Sequence, residues 1–215
     1  MDRAPSLLLK RPGLAPEIRS DILNAAAIAF NDRGYGATSI DDVADQLGAT
    51  KGRIYHYYRS KTDIFLDIHI ESLHVLLNRV GDVVRDQTLN PQQRMHQMCR
   101  IHATVVMTQM AYQKTTMLGV NRFLLSISAP YQQEARAKIN ALRDEYEALF
   151  VEAIAEGSKQ GVFKQIPPRV ATKPLLGALN CAPVWCEEDL ARGDVSIESV
   201  ADCLADYCVA GLSVR

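Results

Sequence analysis

Long apolar runs are missing from this chain. No stretch of its 215 residues approaches the ~20 apolar residues that a membrane-spanning helix requires. Leu7-Leu8-Leu9 is too short for the core of a secretion signal and is followed at once by Lys10-Arg11. A cytoplasmic protein without a membrane partner is the expectation. A disulfide framework is missing as well. The five cysteines present are an odd number without small-scaffold spacing, which fits reduced thiols packing as small apolar groups, including the Cys181/Cys186 and Cys203/Cys208 pairs. His96, Cys99 and His102 lie three apart, but ligands at that pitch drift around a helix and no carboxylate joins them. A packing role is expected, with no metal and no cofactor. Strand-like alternation, internal repeats and low-complexity segments are also lacking. So are the Gly-x-Ser-x-Gly, Gly-x-Gly-x-x-Gly, phosphate-loop and His-Glu-x-x-His patterns, so catalysis is not expected.

Nor is there a surplus of one charge: 24 basic against 25 acidic residues, a net of −1, argue against a general nucleic-acid binder. The distribution says more. Residues 1–62 carry nine Lys/Arg against seven Asp/Glu, and the rest carry fifteen against eighteen. Several early acids (Glu17, Asp21, Asp41, Asp42) fall at helix starts, where they favour the helix dipole. That leaves Lys10, Arg11, Lys51, Arg53, Arg59 and Lys61 for a patch facing phosphate.

What the chain does have is helical periodicity, and the fold class it predicts is all-α. A helix starts near Pro16 and runs through Ile22, Leu23, Ala26, Ala29 and Phe30 to Gly34. Ser39 then caps a short helix with Asp42 reaching back, and Ile40, Val43, Ala44 and Leu47 form its apolar face. Gly48 permits a sharp stop. Thr50 caps the next helix, which exposes Thr50, Lys51, Arg53, Tyr55 and His56. A short polar and basic helix after such a turn is the recognition element of a helix-turn-helix, and its partner is double-stranded DNA.

Four blocks carry a family resemblance: Ile22 to Ala27 with Phe30 and Gly34-Tyr35; Thr38 to Ala44; Lys51 to Tyr58; and Ser60 to Phe65. In this order they resemble the tetracycline-repressor (TetR) family of bacterial transcription regulators, with Tyr58 standing where that pattern usually has Phe. The resemblance implies a flexible arm over 1–14 and a three-helix DNA-binding domain over 15–62. It further implies a helical ligand-binding and dimerisation domain over 63–215. It puts phosphate contacts at Thr38, Lys51, Tyr55 and Lys61 and base-edge contacts near Ala49, Thr50, Arg53 and His56. Arg53 suits the two acceptors of guanine. Ser39 and Tyr57 join the same group. All of these also fit a surface or capping reading, although a capping hydroxyl is itself a place where phosphate sits. Lys10 and Arg11 either enter a minor groove or form a solvated tail.

Ser60 caps a long linking helix through Val84, Asn90-Pro91 starts another, and a short segment covers 115–125. Ala129-Pro130 opens a strong helix that ends near Gly157 or Gly161, and the last two run over 168–187 and 197–212. Met107, Met110, Met117, Phe123, Tyr146, Phe150, Leu176 and Trp185 are either ordinary core or the adaptable wall of a ligand site, with Arg122 and Asn180 at its polar end. The run Leu175 to Asn180 followed by Trp185 resembles the penultimate helix of TetR regulators that respond to acyl-CoA thioesters, except at Cys181, Val184 and Cys186. The implied partner is a small hydrophobic effector, an acyl-CoA or alternatively a neutral aromatic or steroid-like compound. An enzyme acting on acyl thioesters, and a DNA-binding module governed only by a protein partner, remain as other readings. A homodimer is expected through Leu175, Leu179, Ile197, Val200, Ala201, Leu204, Cys208 and Gly211, which follow helical faces, or else these residues close the subunit's own core.

Overall fold

A computed structural model describes residues 8–10, 15–117, 127 and 129–214. Among the described residues the chain forms ten helices: α1 Pro16–Arg33, α2 Ile40–Leu47, α3 Lys51–Tyr57, α4 Lys61–Val84, α5 Pro91–Thr108, α6 Met110–Met117, α7 Pro130–Lys159, α8 Pro168–Trp185, α9 Glu187–Arg192 and α10 Ile197–Leu212. Extended pairing within this set is limited to two isolated bridges, Leu9 with Tyr58 and Phe163 with Ser213. No described helix is long and apolar enough to cross a membrane.

The caps explain the helix starts. Ser39 and Asp42 form a reciprocal capping box on α2, as do Asn90 and Gln93 on α5 and Ser196 and Ser199 on α10. Gly48 ends α2 at φ 65°, a conformation that side chains with a Cβ resist. Thr50 occupies the cap position of α3 without a side-chain cap bond.

Two compact units result: residues 1–72 with 111–141, and residues 73–110 with 142–215. Helices α4 and α7 each contribute to both. In the first unit Ile22, Leu23, Ala26 and Phe30 of α1 pack with Val43 and Ala44 of α2, Ile54 of α3, and Ile64, Phe65 and Ile68 of α4. Tyr112 of α6 closes this core. The Phe30, Tyr35 and Phe65 rings meet at tilted and edge-on angles, 4.8–6.1 Å between centroids.

In the second unit α5 packs on α8 and α10. Its buried face is Met95, Met98, Cys99, His102, Ala103, Val106 and Met107. Ile101 and Val105 are only half-buried. Helices on both sides widen the covered arc and turn it toward Cys99 and Ala103. Helix α7 continues through Gly157 because the Phe163 ring lies on that glycine, where a Cβ would overlap it. Helix α8 ends at Trp185, two residues before the end expected at 187, and the short α9 follows. Cys99 and Cys208 interact between α5 and α10, an interaction that raises the first thiol and lowers the second. Cys181 and Cys203 are exposed rather than packed.

Candidate functional site

The turn between α2 and α3 presents an outward face. Thr50, Lys51, Arg53, Tyr55 and His56 are exposed, and Ala49 is half-exposed beside them. Ile54 points inward, fully buried, and fixes the helix on the core. Lys51 pairs with Asp41 at 2.7 Å on the surface, a weak bond that a phosphate can replace. Among the described residues no ion pair holds Arg53. His56 meets the half-buried Tyr57 edge-on at 4.8 Å.

Other members of the expected contact group face elsewhere. Thr38 is buried, and its hydroxyl is engaged with the carbonyls of Ala29 (3.0 Å) and Gly34 (2.8 Å), so it fastens α1 to the loop before α2. Lys61 donates to the carbonyls of Tyr35, Gly36 and Thr38 at 2.7–3.1 Å, and burial pulls its pKa below the usual lysine value. Its three protons are used holding that loop. Ser39 is committed to its capping box. Lys10, expected as groove or solvated tail, donates instead to the Tyr55 carbonyl at 2.6 Å while its backbone N–H bonds to the Tyr57 carbonyl at 2.8 Å. Leu8 next to it is buried. Arg11 lies outside the described residues.

Behind α3 stand two buried carboxylates. Asp67 of α4 accepts two hydrogen bonds from Arg19 at 2.9 Å and one from the Tyr58 hydroxyl at 2.7 Å. Burial first, and then this carboxylate, raise the Tyr58 hydroxyl well above the usual phenol value. Asp63 accepts the N–H groups of Arg59 and Ser60, both at 3.1 Å, at the start of α4. It also accepts Tyr131 (3.1 Å) and Gln132 (2.6 Å) from the first turn of α7. Sequence reading passes over both acids. The available signal is Asp63, Asp67 and Glu71 four apart on an otherwise apolar helix, where they share one face.

The expected ligand residues divide. Met107, Tyr146, Phe150 and the half-buried Leu176 belong to the core of the second unit. Asn180 is half-buried on α8. Met117 is exposed and lies in the first unit, and Trp185 is about half exposed. Arg122 and Phe123 lie outside the described residues. His102, expected to pack rather than to hold a metal, lies with this group: its Nδ1 is 2.7 Å from the Tyr146 hydroxyl.

Of the expected dimer residues, Leu175, Leu179, Val200 and Ala201 are buried within the subunit's own core. Ile197, Leu204 and Cys208 are half-buried and pack against it. Gly211 is exposed. Helices α8 and α10 turn these residues inward because α5 lies against both. Exposed apolar residues here include Val170, Pro174, Ala178, Cys181, Val184 and Trp185 on α8 and Cys203, Tyr207 and Ala210 on α10.

A capped two-helix turn with an exposed polar and basic second helix, followed by a helical unit with an apolar core, defines an all-α helix-turn-helix protein. The chain belongs to the tetracycline-repressor (TetR) family: residues 22–68 match the model of bacterial regulatory proteins of the tetR family, and residues 88–212 match the tetracyclin repressor-like C-terminal domain. The HTH-type transcriptional repressor KstR2 of Mycobacterium tuberculosis H37Rv is 36% identical over 77 residues, 36% of this chain and 38% of KstR2. That match spans well under half of the curated relative's length. The structure of the ketosteroid transcriptional regulator KstR2 of Mycobacterium tuberculosis is similar at a TM-score of 0.79 with 20% identity, covering 94% of this chain and 98% of that one. PfmR from Thermus thermophilus gives a TM-score of 0.76 at 29% identity, covering 90% and 99%. FadR from Bacillus subtilis in complex with stearoyl-CoA gives 0.68 at 19%, covering 89% and 98%.

Proposed function

We propose that this protein is a ligand-responsive transcriptional regulator, a repressor that binds a palindromic DNA operator as a homodimer and is released by a small hydrophobic effector. The observation that carries this reading is the outward face of α3. Its polar and basic side chains stand clear of the core, while Ile54 and Tyr58 anchor the helix beneath them. Lys51 and Tyr55 serve phosphate, and Thr50, Arg53 and His56 serve base edges. Two copies on a twofold axis place two such helices in successive major grooves, about 34–36 Å apart. Lys61 and Thr38 act indirectly by holding the loop before α2.

The homodimer uses the outer stripes of the last two long helices, with Pro174, Gly177, Ala178 and Cys181 on α8 and Cys203, Tyr207 and Gly211 on α10, each exposed or half-exposed in one subunit. Small residues there let helices of two subunits approach closely. The effector binds in the second unit among Met107, Tyr146, Phe150 and Leu176. Acyl-CoA thioesters are the leading class, in keeping with the stearoyl-CoA complex of FadR. A steroid-like ketone is the second reading. It is favoured by the uncharged character of the buried polar groups there, His102 and Tyr146. Helix α7 carries the signal. It bears Tyr146 and Phe150 beside His102, and its first turn bonds Asp63, the carboxylate capping α4 directly after α3. An effector that prefers one position of α7 thereby shifts the seating of α3. Equal affinity for both positions would shift nothing.

Selection of bound duplexes from a random pool, followed by anisotropy titration, tests the reading. The expected product is a palindrome. Arg53→Ala relaxes base preference at one position by about 1–3 kcal/mol, whereas Lys51→Ala weakens all sequences alike and lowers the salt slope by about 1. Equal profiles for the two variants would overturn this division of roles.

A further inference from the structure

The second unit holds a polar atom that the described chain leaves open. His102 lies in the middle of α5 and is 1% exposed. Its ring centroid stands 5.7 Å from that of Tyr146 and 6.4 Å from that of Phe150, both on α7. Nδ1 meets the Tyr146 hydroxyl at 2.7 Å, while Nε2 makes no hydrogen bond among the described residues. A phenol is the stronger donor and a neutral imidazole nitrogen the stronger acceptor, so Tyr146 donates to Nδ1 and the ring proton sits on Nε2. Burial holds the ring's pKa down at about 4, against the smaller opposing effect of a weak hydrogen-bonding contact with the Asn180 side chain that falls short of a full bond to Nε2, so the ring is neutral near pH 7. The result is an uncharged N–H donor inside a core that includes Met95, Met98 and Met107. A donor buried without an acceptor is costly, and unbranched methionines yield readily to a guest.

We propose that the Nε2–H of His102 donates to a carbonyl oxygen of the effector, so that the protein selects an apolar molecule carrying a carbonyl over the same skeleton without one. This rests on the reading of the second unit as the effector-binding part. The carbonyl belongs to a thioester or to a ketone. Both offer an uncharged acceptor on an apolar body, and neither asks for a counter-charge at His102. Tyr146 fixes the tautomer, and Asn180 stands as the polar neighbour on α8.

Calorimetric titration of wild type, His102→Leu and His102→Gln tests this with two pairs of probes. One pair is stearoyl-CoA and S-octadecyl-CoA, its thioether without the carbonyl. The other is a steroid 3-ketone and the same steroid without the ketone. In one pair the wild type should prefer the carbonyl compound about tenfold, and the pair that discriminates identifies the source. His102→Leu should lose the preference, and pairing it with Tyr146→Phe, which removes the hydroxyl that the leucine would orphan, keeps the fold. His102→Gln retains an amide donor near Nε2 and should keep most of the preference. If the wild type binds both members of each pair equally, or if His102→Leu keeps the preference, the hydrogen bond is wrong and the effector-binding reading stands. If the wild type binds neither carbonyl compound, both the anchor and the carbonyl-bearing effector class fall.

Discussion

In the first unit the buried carboxylates are saturated: both oxygens of Asp67 are taken by Arg19 and Tyr58, and both oxygens of Asp63 by the N–H groups of Arg59 and Ser60 just before α4 and by the first turn of α7. In the second unit His102 has one nitrogen bonded and the other open, within a core rich in methionine. Saturated charged networks fix one arrangement, because any displacement strips partners from a buried charge. An open neutral donor among flexible side chains does the reverse and leaves room for an added partner. The contrast is between these two sites, since the first unit too leaves the buried Asn31 Oδ1 without a partner among the described residues.

The largest effect is expected where the first unit's network is cut. Asp67→Ala leaves the Arg19 guanidinium, which is mostly buried, with only Glu71 at 2.7 Å, and it orphans the Tyr58 hydroxyl. A loss of about 3–5 kcal/mol in urea unfolding is expected. A loss below about 1 kcal/mol would mean that the network is not what holds α3 in place. Next comes Gly157→Ala in the second unit, which drives a methyl group into the Phe163 ring. Overpacking of this kind costs up to about 3 kcal/mol, and Phe163→Leu in the same chain should recover part of it.

Acid sharpens the comparison further. The folded His102 titrates at about 4 and the unfolded residue at 6.5. Between those values the unfolded chain binds the proton and the folded chain does not, so stability rises with pH and is lost as pH falls from 6.5 toward 4. From pH 7 to pH 5 the loss assigned to this ring is about 2 kcal/mol. It should show up as a difference between wild type and His102→Leu in denaturant titrations at the two pH values. Parallel behaviour of the two proteins would remove His102 from the acid response.

Local chemistry makes much of this legible in the sequence. Ser39 with Asp42, Gly48, Asn90-Pro91 and Ser196 announce their helix ends because the bonds they make span three or four residues. The outward face of α3 follows from the same short-range pattern. What stays hidden depends on partners far along the chain. Thr38 and Lys61 look like phosphate ligands until the carbonyls of Ala29 and Tyr35 are seen beside them. A packing role for His102 is legible, but its Nδ1 partner Tyr146 lies 44 residues away and is not. Periodicity finds the apolar face of the last helix, but it cannot say whether a subunit's own core or a second subunit covers it. No single helix announces that Ala111–Met117 and the start of α7 belong with the first unit.

If a ligand held in the second unit changes what α3 can grip, the effect must be visible in DNA affinity itself. The direct measurement is binding to the selected palindromic duplex, by anisotropy, with and without saturating stearoyl-CoA or a steroid 3-ketone. One of them should weaken DNA binding about 5- to 150-fold, the range of a 1–3 kcal/mol coupling. DNA should weaken binding of that effector by the same factor. Tight binding of either compound with DNA affinity unchanged would contradict the coupling.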